Sequence, residues 1–434
     1  MKDFINKSIR ITLLTAFTVG VLANCEKKKD DNTLLLAALF LANQGIAGSA
    51  LCDGVGVPAP TLVLEGTITT AVTVSGSALL KGTVNVTNGG SLTVNPGSVI
   101  FGDRGSSLFV YEGGTLTAVG SANRPICFTS SQAVGGRSPG DWGGIVVVGN
   151  GPATANGQNT EGTTPRTYPG TVNSIANLKY VVIEFAGNEV AAGDELNGLS
   201  SYSVTSSTSN YDYVQIHRGL DDGFEWWGGD VNGTHLLVTG GMDDDFDIDD
   251  GFQGELRHLI GVKYPTSCGG TPSNDPHGFE MDGSFSSGTT PTGGATFSNP
   301  IVANFTTIGQ SVANGSGMNF KEAMKGRFSD GLVYGYVTNN FLCANNANTT
   351  NPTSFSNIKG QSGKAANLGT NCTNITNNTE ITTLPIASLG NIPDCGVGES
   401  LPDFTTTFGD GSLGGGSVAE GKWWEGGWTV YRSK

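Results

Sequence analysis

Two acidic stretches of this chain are near-copies at an offset of twenty-two residues. GLDDGFEWWGG (219–229) and GMDDDFDIDDG (241–251) agree at Gly219/Gly241, Asp221/Asp243, Asp222/Asp244, Phe224/Phe246, Glu225/Asp247 and Gly229/Gly251. A period in the low twenties is that of a solenoid coil, in which each repeat stacks on the next because none can bury its apolar face alone. The repeat therefore sets chemically similar carboxylates above one another, where their repulsion must be offset.

A second repeat supports the coil. NGGSLTV (88–94) and EGGTLTA (112–118) lie twenty-four residues apart, with the short alternating runs VIF (99–101) and LFV (108–110) between them. This gives about three short strands per period, whereas a sandwich would use longer strands with hairpin signals. YVVIEFAG (180–187), YVQIHRG (213–219), HLLVTGG (235–241) and HLIGVK (258–263) read as equivalent strands of later coils, as do 305–309 and 332–338. The expected fold class is all-β: a parallel β-helix with coils of about 22–24 residues. Loops are expected to leave it at 149–171, 267–275, 284–294 and 345–380. The 66 glycines among 434 residues agree with a chain rich in turns.

The N-terminus has the pattern of an export signal. Lys2, Lys7 and Arg10 precede an apolar run at 11–22 that is too short to span a bilayer comfortably. LANC (22–25) resembles a lipoprotein processing box, with Asn24 in place of the usual small residue. Residues 1–24 are then a signal peptide, and Cys25 is the lipidation site that ties the chain to a membrane. A plain secretory signal is the alternative. Residues 25–60 form a tether: EKKKDD (26–31), then LLLAALFLA (34–42), either a short helix on the membrane or a cap over the open end of the core. The β-helix is expected at 61–395. An aromatic capping segment follows at 396–434, with Trp423, Trp424 and Trp428 packing inward. Once Cys25 is set aside, six cysteines remain, allowing up to three disulfides among fifteen pairings. The cysteines form no close CxxC pair and have no His beside them, which argues against zinc.

Strand alternation places the acidic repeat. Aligning Phe224, Phe246, Phe279 and Met318 aligns Trp226, Ile248, Met281 and Phe320 as a second inward column. Glu225, Asp247, Glu280 and Asn319 then point outward, as do Trp227, Asp249, Asp282 and Lys321. Stacked like charges destabilise a sheet unless a cation, shared protons or solvent relieves them. Calcium takes six to eight oxygens, so Glu225, Asp245, Asp247, Asp249, Glu280 and Asp282 are the expected metal ligands. The D-x-D-x-D run is not an EF-hand, because Asp250 stands where the turn glycine belongs and Glu255 comes one residue early. Asp221, Asp222, Asp243 and Asp244, at the strand entry, and the outward Trp227 are the expected ligand-binding residues. His235 and His258 are expected to stack one coil apart, and His277 lies near enough to titrate with the acids. The formal net charge of −15 makes nucleic acid a poor partner.

KGTVNV, GGSLTV, GSVIFG, PICFTSS, GDWGGIVVVG, LKYVVIEFAG, LDDGFEWWGG and DDDFD resemble a family of surface lipoproteins from Bacteroidota and spirochaetes, over about 61–335. The box at Cys25 and the charged leader fit its Leptospira-like members. The resemblance implies a right-handed parallel β-helix displayed at the cell envelope, most simply the outer membrane, and carries no activity with it.

Three functions follow as expectations. The first is a lipid-anchored binding or adhesion scaffold for a host protein or glycan, with calcium ordering the acids. The second is a polysaccharide lyase, with Lys321 or Arg218 as base, or a glycoside hydrolase using paired carboxylates. The third is a purely structural envelope role.

Overall fold

The computed structural model describes residues 48–432 except 155–156, 285–296, 344–353, 365–373, 399, 409–413 and 418–419. The expected signal peptide (1–24), Cys25 and the 34–42 run lie outside the described residues. From Leu62–Ile68 onward the chain winds into coils whose strands pair in parallel with their equivalents on the next turn, forming one 25-stranded sheet system. It is a right-handed parallel β-helix.

Each full coil has three faces. Strands such as Ile175–Glu184, Asn210–His217, Asn232–Thr239 and Glu255–Val262 each carry one left-handed residue that bends them across two faces. The bend falls at Tyr180, Tyr213, His235, His258, Asn304 and Asp330, all with φ between 50° and 57°. Such a conformation is costly for bulky side chains and persists where the surroundings over-determine it. Here the surroundings are the column itself. Tyr180 stacks on Tyr213 at 4.4 Å, Tyr213 on His235 at 4.1 Å, and His235 on His258 at 5.2 Å. The expected histidine stack is therefore part of a longer aromatic ladder.

The third face includes Ile145–Val148, Leu199–Tyr202, Phe224–Trp227, Phe246–Asp249, Phe279–Asp282 and Met318–Lys321. Its register matches the alignment read from the sequence: Phe224 pairs with Phe246, Phe246 with Phe279 and Phe279 with Met318. The Phe column stacks in the core at ring separations of 5.8 and 4.9 Å. Glycines at the strand entries let the coils approach. A Cβ at Gly223 would meet the Asp245 carbonyl oxygen at 2.6 Å, and one at Gly317 would meet Val333 at 2.1 Å.

The C-terminal tryptophans are buried, but along the flank of the β-helix rather than over an end. The segment runs backward past successive coils. The Gly414 amide donates to the Asp330 carbonyl, the Gly415 amide to Thr306, and the Val430 amide to Gln215. Trp423 packs edge-on against His235, and Trp428 against Tyr180 and Tyr213. The bend ladder explains this placement: it presents a line of flat rings outside the core, and only a lateral strap can cover them. The last described residue of the strap, Arg432, meets Glu184 and Asp53, beside helix α1 (Gly48–Cys52). The Cys52–Cys127 disulfide pins α1 to the coils, Cys268–Cys395 pins the turn just before the C-terminal segment, and Cys343 is also disulfide-bonded.

Candidate functional site

The third face, as expected, carries the acids on its outer side. Its geometry begins in the turn before each strand. The Asp222 amide donates to Asn197 Oδ1 (3.0 Å), the Asp244 amide to Asp222 Oδ1 (2.9 Å), and the His277 amide to Asp244 Oδ1. The Ser316 amide then donates to His277 Nδ1 (3.0 Å). Each side chain in this column caps the amide of its equivalent one coil later, which is how acidic residues fit a tightly stacked turn. One oxygen of each aspartate is thereby fixed, and the carboxyl group is held against the third face.

Three groups of carboxylates converge as a result: Asp221 with Asp222 and Asp243, Asp222 with Glu225 and Asp247, and Asp244 with Asp247 and Glu280. Within each, one oxygen from every residue lies within 4.8 Å of the others. Asp247 belongs to two of the groups, and its Oδ1 is buried with no hydrogen-bond partner. Burial and mutual repulsion push the pKa values of Asp222, Glu225, Asp244 and Asp247 well above the usual carboxylate range. Asp221 is pushed up to about 9, by burial first and then by Asp243.

Glu280 is the exception. Burial would raise it, but His277 and Lys321 overcome burial and hold it at about 2. Lys321 Nζ lies 2.6 Å from Glu280 and 3.2 Å from Asp282, and so serves as counterion to both. For His277, burial works to lower the pKa, but the bond to Glu280 and the surrounding acids raise it. The Ser316 amide opposes that rise, because a ring that accepts at Nδ1 is neutral and donates from Nε2 toward Glu280, 3.4 Å away.

The structure redistributes the expected ligand set. Glu225, Asp247 and Glu280 converge as the alternation requires. Asp245 does not. It precedes the strand, which begins at Phe246, so it escapes the alternation and turns into the coil corner, where Lys263 Nζ lies 2.9 Å from its Oδ1. Asp249 and Asp282 stand beside the three groups and outside them. Asp249 accepts from the Asp250 amide, and Asp282 faces Lys321. Asp222 and Asp244, expected to meet a ligand, sit in the carboxylate groups, as do the half-buried Asp221 and Asp243.

Trp227 is half-buried and stacks on Tyr202 at 5.7 Å, and Tyr168 of the 149–171 insertion covers both rings. The same insertion supplies Glu161, which accepts from Tyr202 Oη at 3.1 Å and is raised to about 7, chiefly by burial. Asn197 Nδ2 donates to Glu225 and, at 3.4 Å, to Glu161. Sequence reasoning missed Asn197 and Glu161. Asn197 shares the turn column with Asp222, which an alignment extended one coil upstream would reveal. Glu161 has no such signal.

The cations weighed as a lyase base are committed elsewhere. Arg218 is buried and donates to the carbonyls of Gly240, Cys268 and Gly269. Lys321 is held by two carboxylates, which, against the effect of burial, raise its pKa further above its ordinary value. A base needs the opposite shift.

The stacked coils and the buried acidic face define a parallel β-helix scaffold. A family described as the pectate-lyase like beta helix domain matches residues 66–429, and the chain belongs to that family. No curated protein and no solved structure gives a match.

Proposed function

We propose that this protein is a lipid-anchored envelope scaffold whose third face binds calcium and presents a ligand-binding surface. The convergence at Asp247 carries this reading. Four carboxylates converge on Asp247, Asp222 with Glu225 in one group and Asp244 with Glu280 in the other, and Asp247 Oδ1 is buried with no hydrogen-bond partner. Oxygens within 4.8 Å of one another can reach a single ion at 2.3–2.6 Å. The donors are all hard oxygens, the set that suits calcium rather than zinc. Bound calcium would neutralise the stacked charges and fix the strand entries. The anchor rests on the N-terminal pattern ending at Cys25, and outer-membrane display rests on the family resemblance that the same pattern supports.

Calorimetric titration of the chelator-stripped protein with calcium chloride is expected to show saturable binding. Asp247→Asn, which removes a charge shared by two groups, is expected to weaken it at least tenfold, about 1.4 kcal/mol. Absence of heat and of any thermal shift with calcium would remove the metal from the reading and leave a bare acidic face.

The family description favours a polysaccharide lyase as a second reading, and the committed states of Arg218 and Lys321 weigh against it. Incubation with acidic polysaccharides, followed by absorbance of unsaturated ends, separates the two. No product is expected. Product that disappears in Lys321→Met would establish the lyase.

A further inference from the structure

We infer that Lys263 and Asp245 are partners for a spontaneous intramolecular amide cross-link between neighbouring coils. The residues that follow the bent strands stack as Arg218, Gly240, Lys263, Gly309 and Gly335. Those that precede the third-face strands stack as Gly223, Asp245, Gly278, Gly317 and Asn340. These columns flank one corner of the β-helix and consist mostly of glycine. Lys263 and Asp245 break the glycine runs at adjoining levels, and they meet.

Lys263 Nζ is 2.9 Å from Asp245 Oδ1, and the side chains are 1% and 0% exposed. Lys263 Nζ also donates to the Asp243 carbonyl. Asp245 Oδ2 is buried without a hydrogen-bond partner, against Gly261, where a Cβ would come within 2.4 Å of it.

As an ion pair this arrangement is poor. It buries two charges, whose desolvation is seldom repaid in full, and it leaves one carboxylate oxygen unsatisfied. Condensation removes each defect. A proton passes from Nζ to Oδ2, and the freed amine lone pair attacks Cγ. The C–N bond forms, the C–Oδ2 bond breaks, and Oδ2 leaves as water with a second proton from Nζ. The product is a neutral amide. Its remaining N–H keeps the Asp243 carbonyl as acceptor, and Oδ1 becomes its carbonyl oxygen. The oxygen that lacked a partner is the one expelled. No oxidant or co-reactant is required, and burial protects the bond from hydrolysis.

The experiment is intact-mass spectrometry of the reduced full chain, followed by tryptic mapping. The native protein is expected to be lighter than its calculated mass by one water, with trypsin unable to cut after Lys263 and a branched peptide joining 219–257 to 258–321. Lys263→Arg and Asp245→Ala are expected at their full calculated masses. Native protein at full mass, cut after Lys263, overturns the cross-link. So does a water deficit accompanied by normal cleavage there, because that pattern marks a cyclic imide at another aspartate. The native chain decides the matter alone should either variant fail to fold.

Discussion

Glu184→Ala is expected to lower the unfolding free energy by about 3–5 kcal/mol, read from the midpoint of a urea titration. Glu184 has no exposed surface, yet it is a hub. Arg432 reaches it with contacts of 2.9, 3.1 and 3.3 Å, Thr129 donates to it at 2.9 Å, and Arg137 lies 3.8 Å away. Arg137 also donates to the Cys52 carbonyl at 3.0 Å, and Arg432 to Asp53. Alanine would leave two guanidinium groups facing a cavity, one of them fully enclosed. Glu184→Gln keeps the volume and some of the hydrogen bonds, so a smaller loss is expected. The strap should also become sensitive to trypsin at Lys422 in the alanine variant before the coils unfold. A loss below about 1 kcal/mol would place the network among surface pairs.

The second large effect joins pH to calcium. With chelator present, the thermal midpoint is expected to fall by about 5 °C or more between pH 5 and pH 8. Folding raises Asp221 to about 9 and Asp282 and Glu161 to about 7, burial being the largest cause in each case. Over this window the folded state holds more protons than the unfolded chain. The stability these groups contribute is complete below the ordinary carboxylate range and is lost as pH rises through their folded values. Glu280, held at about 2, acts in the opposite sense, and its contribution is lost only in strong acid. Millimolar calcium should restore most of the midpoint at pH 8 and little at pH 5, where the ligands keep their protons. A midpoint that rises with pH in chelator would show that the acids are relieved by solvent instead.

The twenty-two-residue repeat made the coil readable because two inward apolar columns, Phe224–Phe246–Phe279 and Trp226–Ile248–Met281, hold register wherever they are aligned. The outward acids at 225, 247 and 280 follow from alternation and were equally legible. Alternation ends at the strand boundary, however. Asp244 and Asp245 are identical and adjacent, yet one caps the next coil and joins the carboxylates while the other pairs with Lys263. Only the turn geometry separates them. Contacts made by insertions were not readable either, since Glu161 reaches Tyr202 across 41 residues. The strap was recognisable as apolar but not as lateral, because Gln215 and Val430 lie 215 residues apart and share no pattern.

The backward path of the strap has a mechanical consequence. A β-helix pulled from its ends would shed coils singly, each unzipping a few hydrogen bonds at a time. Here the last described residues return to α1, and Arg432 grips Asp53 while the Gly48 amide donates to the Gly427 carbonyl. Tension drawn through the N-terminal side therefore enters α1, the strap and the Cys52–Cys127 disulfide together. These elements carry it in shear across several coils at once. A chain held at one end in moving fluid would then resist as a unit, and its weakest step would be release of the strap rather than loss of the outermost turn.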